Sequence, residues 1–148
     1  MPRRTLKTAF VASVGLVIAT YGAQAESGFE DLYGHWNWET DLKTCSFNGK
    51  AFIGENLDGA VSCEITAHQV CRSTEALVRQ TCKLSRDGDL VRIDSSVAEY
   101  LDGFGSAREN YQPDNFDLFV VSSSLMIGHL DSLSYAPSRW TRDASPTS

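Results

Sequence analysis

The chain has 148 residues, of which 42% are hydrophobic and 22% are charged, and its formal net charge is −6. This length suits one domain with a core of its own. The acidic balance excludes nucleic acid and anionic membranes as expected partners, because both repel an acidic protein. The partners that we expect are instead a small apolar ligand or a basic envelope protein.

Residues 1–25 have the three parts of a secretory signal peptide in order. The start is basic and includes the pair Arg3-Arg4, residues 8–20 form a short apolar run, and Ala23-Gln24-Ala25 is a small-x-small cleavage site. The apolar run of 13 residues is shorter than the roughly 20 that a membrane-spanning helix needs. We therefore expect export to the periplasm or the exterior, by the general or the twin-arginine route. The mature chain would start at Glu26 and have no integral membrane segment.

The mature chain would have 123 residues and a net charge of −9, because the signal peptide holds three of the thirteen basic residues and none of the nineteen acidic ones. It keeps all four cysteines. Exported chains meet an oxidising compartment, so we expect two disulfides. A zinc site is the alternative, and it is disfavoured because the cysteines lack the C-x-x-C spacing of structural zinc sites.

The predicted elements begin with a strand in LYGHWNWET, residues 32–40. Asn48-Gly49, Asp58-Gly59 and Asp87-Gly88 follow as two-residue turns of the type that closes tight hairpins, because these residues tolerate positive φ angles. Between the last two turns, residues 61–67 alternate apolar and polar side chains. Such alternation is typical of a strand with one buried face.

Two stretches are candidates for helical turns. STEALVRQT, residues 73–81, starts with cap-type residues and predicts one or two turns of helix. AEYLDGFGSARENYQPDNF, residues 98–116, predicts a long loop with a helical turn, and its proline turn would feed Phe116 into the core. Between these stretches, Val91 and Ile93 share the apolar face of a further strand.

The chain ends with two apolar strands and one irregular strand. They are FDLFVV at 116–121, LMIGHL at 125–130 and SLSYAPSRWTR at 132–142. Ser122-Ser123-Ser124 predicts a hairpin between the first two. Pro137 lacks a backbone donor, so it predicts an edge or a bulge in the last strand. The tail, residues 143–148, is predicted to be disordered.

Many short strands joined by close turns predict an antiparallel, mainly β domain over residues 26–142. We expect an up-and-down, lipocalin-like barrel of about eight strands, with one or two short helical turns and two disulfides. A two-sheet sandwich is the alternative. A barrel of this size is filled by side chains or holds one small ligand.

The four cysteines permit three disulfide pairings. We favour Cys71–Cys82, because this bridge would close the predicted helical turn between them, and Cys45–Cys63 then follows by exclusion. A bridge that closes a short loop stabilises a domain by roughly 3 kcal/mol in the chain-entropy model. Both bridges therefore have a structural purpose without any further function.

The two ends of the predicted barrel carry a recognisable combination of residues. Gly34-His35-Trp36 opens the first strand, and Arg142 lies near the end of the last strand, which would lie beside the first in a closed barrel. An arginine that covers a tryptophan plug makes a favourable cation–π contact. With these residues the chain resembles the calycins, lipocalin-like barrels that begin with Gly-x-Trp and carry an arginine near the end. The resemblance implies that Gly34, Trp36 and Arg142 are structural.

The same start resembles a second group, the small periplasmic barrels that inhibit secreted metalloproteases. Those proteins also have Gly-x-Trp near the mature start and a cysteine soon after it, here Gly34-His35-Trp36 and Cys45. In that family the free N-terminus enters the protease cleft and approaches its zinc. The resemblance implies that role for Glu26-Ser27-Gly28.

We expect no metal, no cofactor and no catalytic residue. His35 would face outwards if Trp36 faces inwards, because successive strand residues point to opposite faces. His35, His68 and His129 also lie far from one another in the sequence, which gives a metal site no support. No Gly-x-Ser-x-Gly elbow is present, and oxidised cysteines are not nucleophiles.

The expected function is therefore the binding of a small apolar or amphipathic ligand. The segments LFVV and LMI are apolar on both faces, and a second apolar face needs something to cover it. We predict a ligand in the barrel mouth, lined by Phe119, Leu125, Ile127 and Tyr135. The loop at residues 98–115 is the alternative cover. The alternative functions are an inhibitor of an envelope or host hydrolase, such as a lysozyme or metalloprotease, and an envelope structural factor.

Overall fold

The computed structural model describes residues 28–132 and 135–144 as a closed antiparallel barrel. Each strand pairs with the next along the chain, and the eighth returns to the first. The strands are β1 Gly34–Asp41, β2 Cys45–Glu55, β3 Val61–Cys71, β4 Glu75–Asp87, β5 Leu90–Phe104, β6 Phe116–Ser122, β7 Leu125–Leu130 and β8 Ala136–Arg142. A 3-10 turn at Glu30–Leu32 precedes β1, and one helical turn, α1 at Ala107–Asn110, follows β5. The predicted mainly β, eight-stranded up-and-down barrel is confirmed.

Three predictions on the chain ends lie outside the described residues. They concern the signal peptide at residues 1–25, the free N-terminal residues Glu26 and Ser27, and residues 145–148 of the tail. Asp143 is described, and its backbone N–H donates to the carbonyl of His35 at 2.8 Å. Among the described helices, none has the length and apolar character that crossing a membrane requires.

The barrel interior is filled with side chains. Every second residue of β1 points inwards, so that Trp36, Trp38 and Thr40 are buried. Trp38, Phe116 and Trp140 pack together, with ring centroids 5.0 to 6.3 Å apart. Aliphatic side chains complete this core: Ile53, Ile65, Ile93, Leu118, Met126 and Leu130. The interior of the barrel is therefore a packed core.

The prediction of a turn at Asn48-Gly49 is wrong, because both residues lie in the middle of β2. A Cβ atom on Gly49 would come within 1.9 Å of the Thr66 carbonyl oxygen and 2.8 Å of Trp38 Nε1. The glycine therefore makes room for an indole ring and a neighbouring strand. Turns are present at or beside the other three predicted sites, but they differ in detail. Residues 56–60 form a five-residue connection around Asp58-Gly59, whereas Gly88-Asp89, one residue later than predicted, and Ser123-Ser124 close two-residue hairpins.

The prediction of helical turns in residues 73–81 is also wrong, because most of this stretch belongs to β4. Ala76, Val78 and Gln80 alternate inwards there, and β4 pairs with β3 and β5 on its two sides. Pairing on both sides satisfies the backbone N–H and C=O groups of this stretch. This pairing depends on distant strands, so the local helix signals do not show it. The predicted long loop is likewise shorter, because β5 continues to Phe104.

The four cysteines form two disulfides, but the predicted pairing Cys71–Cys82 and Cys45–Cys63 is wrong. The bridges are Cys45–Cys71 and Cys63–Cys82, with Cα atoms 4.3 Å and 5.0 Å apart. Cys45 and Cys71 are direct cross-strand partners because β2 and β3 form one long hairpin. The predicted pairing depended on a helical turn, whereas the true pairing joins neighbouring strands.

Arg142 closes the base of the barrel, where the chain enters β1 and leaves β8. Its guanidinium carbon lies 4.4 Å from the centroid of the Trp36 ring, and the two residues are cross-strand partners. The guanidinium also donates to the carbonyls of Asp31, Tyr33 and Ser123 at 2.7, 2.5 and 2.6 Å. The expected arginine-on-tryptophan contact is therefore present.

Gly34 is needed for the same closure. Its φ is +132°, and a Cβ atom there would lie 2.7 Å from Nη1 of Arg142. The indole N–H of Trp36 donates to the Leu32 carbonyl at 2.9 Å, which ties the 3-10 turn to the core. In the spacing Gly-x-Trp, Gly34 leaves room for the guanidinium of Arg142, and Trp36 provides the ring on which this guanidinium lies.

We expect Arg142→Ala to lower the free energy of unfolding by about 3 kcal/mol, because it removes a cation–π contact and several charge-assisted hydrogen bonds. Urea denaturation of the oxidised protein measures this. Arg92→Ala is the matched control, because Arg92 forms only an exposed ion pair with Asp117 and should change stability little. Equal effects of the two variants would contradict the role of Arg142.

Candidate functional site

A groove of about 720 Å³ lies on the outer surface of the barrel and crosses β6, β7, β8 and β1. Phe119, Ile127 and Pro137 contribute its apolar side chains. Glu39, Asp41 and Arg139 lie along its other side. Its volume lies within the range of about 300–1,000 Å³ in which small-molecule sites occur.

The structure places two of the four predicted ligand residues in this groove. Phe119 and Ile127 line it, and they lie on the outer surface, 55% and 44% exposed, rather than in the barrel mouth. Leu125 lies two residues before Ile127 on the same strand and does not line the groove. Tyr135 does not line it either, but its ring stacks at 4.2 Å on His129, which does.

The apolar face that the sequence predicts in LFVV and LMI is uncovered on the outer surface of the barrel. Leu118 and Met126 fill the interior, while Phe119 and Ile127 are exposed on the opposite face of the same strands. The connection at residues 105–115 does not cover them, since its helical turn packs on β4 and β5. Apolar side chains this exposed and this close together mark candidate binding surfaces.

A smaller polar pocket of about 340 Å³ adjoins the groove on the outer face of β8, β1 and β2. Glu39 and Arg139 line both pockets. The remaining outward side chains of the polar pocket are those of Asn37, Asn48, Lys50 and Thr141. Asn37 is the cross-strand partner of both Lys50 and Thr141, and Glu39 is that of both Asn48 and Arg139. The barrel register thus forms the pocket from two rows of neighbouring residues.

The two cations of the polar pocket have no anionic partner within the described residues. Arg139 and Lys50 form no ion pair or side-chain hydrogen bond there, although Glu39 is the direct strand neighbour of Arg139. Three other arginines, Arg79, Arg86 and Arg92, form ion pairs with carboxylates, and Arg86 contacts Asp31 at 2.6 Å. Hydrogen bonding from Arg86 lowers the pKa of Asp31. The polar pocket is therefore a place where positive charge is left available.

The sequence places Arg139 in the last strand without assigning it a role, and it does not indicate Asn37, Asn48 or Lys50 as site residues. Asn48 and Lys50 flank Gly49, and the turn composition of Asn48-Gly49 conceals that both residues lie on β2. The signal that could have found Asn37 is the alternation of β1, in which Asn37 and Glu39 separate buried residues.

The histidines do not form a metal site in the described part of the chain. His35 faces outwards against Phe52, as expected from the inward position of Trp36. His68 contacts Glu75 at 2.7 Å on the far side of the barrel. Across residues 28–132 and 135–144, no group of three or more His, Cys, Asp or Glu residues could hold a metal ion.

Asp114 is a buried carboxyl group in the connection between β5 and β6. It accepts hydrogen bonds from the Tyr111 hydroxyl and the Gln80 amide, both at 2.6 Å, while its backbone N–H donates to Gln80 at 2.8 Å. Burial raises the pKa of Asp114 to about 6, against the opposing effect of these hydrogen bonds. Burial and the neighbouring carboxyl also raise the pKa of Tyr111, so its hydroxyl stays protonated. This cluster anchors the connection to the barrel wall.

Comparison of the chain with protein-family models, with curated proteins and with solved structures found no match. The resemblances to calycins and to metalloprotease inhibitors therefore stay predictions.

The buried Asp114 predicts a specific pH dependence of stability. Its folded-state pKa of about 6 lies above the ordinary value of 3.8 for this carboxyl group, so the fold favours the protonated acid. This contribution is complete below about pH 4 and is lost as the pH rises through 6, at a cost of about 3 kcal/mol by pH 8. Asp114→Asn should flatten the stability curve by that amount between pH 4 and 8, measured by urea denaturation. Parallel curves for the two proteins would contradict a raised pKa.

Proposed function

We propose that this protein is a non-enzymatic, exported binding protein that holds a small apolar or amphipathic ligand in its outer groove. The observation that carries the proposal is the groove itself, in which exposed Phe119 and Ile127 lie beside the polar pocket. Binding sites for small molecules combine such apolar walls with a few polar groups that orient the ligand.

The outer surface supports this function better than the barrel interior does. Lipocalin-like barrels are expected to bind a ligand inside, but Trp38, Phe116 and Trp140 fill this interior. A ligand there would have to displace packed rings, at a large cost in core packing. In the proposed binding mode, the barrel is a rigid scaffold and the ligand binds on its outer surface.

Two disulfides support the exported location in the periplasm or the exterior. Disulfides persist in oxidising compartments and are rare where thiols are kept reduced. The bridges join β2 to β3 and β3 to β4, so they stiffen the wall next to the polar pocket. A stiff wall loses little freedom when a ligand binds.

Inhibition of a basic hydrolase is the second candidate function. The observation that favours it is the position of Glu39 and Asp41 beside exposed apolar side chains, on a chain of net charge −6. Acidic residues around an apolar centre would speed association with a basic enzyme. Lysozyme activity that is unchanged by micromolar protein would exclude this enzyme class as the target.

We expect Phe119→Ser to weaken the binding of the neutral apolar dye Nile red by about tenfold, because it removes much of the apolar wall of the groove. A fluorescence titration measures the dissociation constant. Phe104→Ser is the matched control, since Phe104 is 58% exposed and lies at the far end of β5. If both variants bind as the parent protein does, the groove is not the site.

A further inference from the structure

We propose that the ligand of the outer groove is a single-chain amphiphile with an anionic head, and that Arg139 and Lys50 bind this head. The inference rests on the proposed function and names the chemical class of the ligand. The apolar chain would lie against Phe119 and Ile127. The head would lie in the polar pocket, above Asn37.

The register of the barrel aligns these residues in one band across the outer face. Phe119 pairs with Ile127, Ile127 with Arg139, and Arg139 with Glu39. In the adjacent row, Thr141 pairs with Asn37 and Asn37 with Lys50. The band therefore changes along its length from apolar side chains on β6 and β7 to hydrogen-bond donors on β8, β1 and β2. A molecule that is apolar at one end and polar at the other matches this order.

The donors of the polar pocket favour an anionic head over a neutral or cationic one. Arg139 and Lys50 can only donate, and Asn37, Asn48 and Thr141 can each donate as well. Because neither cation is paired within the described residues, an anion would bind without breaking an ion pair. Charge-assisted hydrogen bonds of this kind are the stronger class.

The carboxylate of Glu39 would repel an anionic head, and this repulsion provides a test of the charge of the head. Among the described residues that line the polar pocket, Glu39 is the only carboxylate; it pairs with Arg139 and lies in the row next to that of Lys50. Asp41 lines the apolar groove farther along β1. Removing the charge of Glu39 should therefore strengthen the binding of an anion, which a purely apolar site would not do.

The size of the band suits a chain of intermediate length. From Asn37 on β1 to Phe119 on β6 there are three strand spacings, or about 14 Å along the surface. An extended dodecyl chain spans this distance. A longer chain would extend past β6, and a shorter one would leave Phe119 uncovered.

The test compares dodecanoate, dodecyl phosphate, dodecanol and dodecyltrimethylammonium on the oxidised mature protein, each below its micelle concentration. Isothermal titration calorimetry measures the dissociation constants. Both anions should bind at least tenfold more tightly than the cation and the alcohol. Arg139→Gln and Lys50→Gln should each weaken the anions by about tenfold and leave dodecanol unchanged, while Glu39→Gln should tighten the anions several-fold.

Lys83→Gln is the matched control, because Lys83 is an exposed lysine on β4, outside both pockets. It should leave every dissociation constant unchanged. Equal binding of all four head groups, with no effect of Arg139→Gln or Lys50→Gln, would overturn the inference and leave the proposed function standing. No binding of any dodecyl probe would overturn both. Cosedimentation with phospholipid vesicles without binding of the free probes would point to a membrane surface and would also overturn the inference.

Discussion

The structure depends on the closure of β8 against β1 at the base of the barrel, where Arg142 lies on the Trp36 ring. An open eight-stranded sheet would have two unpaired edges and one exposed apolar face. The guanidinium holds both the entering and the leaving chain, since it binds the carbonyls of Asp31 and Tyr33 before β1 and of Ser123 beyond β6. Once this seam is closed, the inward face of every strand is buried against the others.

The packed interior has a direct consequence for function. Because the large rings of Trp38, Phe116 and Trp140 pack together in the centre, a ligand inside would have to displace packed side chains. The apolar side chains that remain uncovered are on the outer face of β6 and β7, where Phe119 and Ile127 border the groove. Arg139 on β8 and Lys50 on β2 also point outwards, so the core and the candidate site lie on opposite faces of the barrel wall.

Local sequence signals predicted the structure correctly where a feature depends only on residues close together in the chain. The alternation of residues 61–67, the turn at Asp58-Gly59 and the pair Gly34-Trp36 each depend on a few neighbouring residues, and all three are found in the structure. The same signals gave wrong predictions where contacts with distant strands determine the conformation. Asn48-Gly49 has the composition of a turn, but its glycine serves the close approach of Trp38 and Thr66.

The sequence by itself determined that this protein is an antiparallel, mainly β domain of about eight strands, because alternation and turn spacing are local properties of the chain. Closure into a barrel rather than a two-sheet sandwich was decided by the pairing of β8 with β1. It also indicated Phe119 and Ile127, because apolar residues on both faces of a strand are visible without a fold. Only the tertiary structure decided which cysteines pair, which face of β6 and β7 is covered, and which polar residues adjoin the groove. The physical reason is register: the partner of each residue lies on another strand, and a local pattern carries no information on how far the strands are shifted.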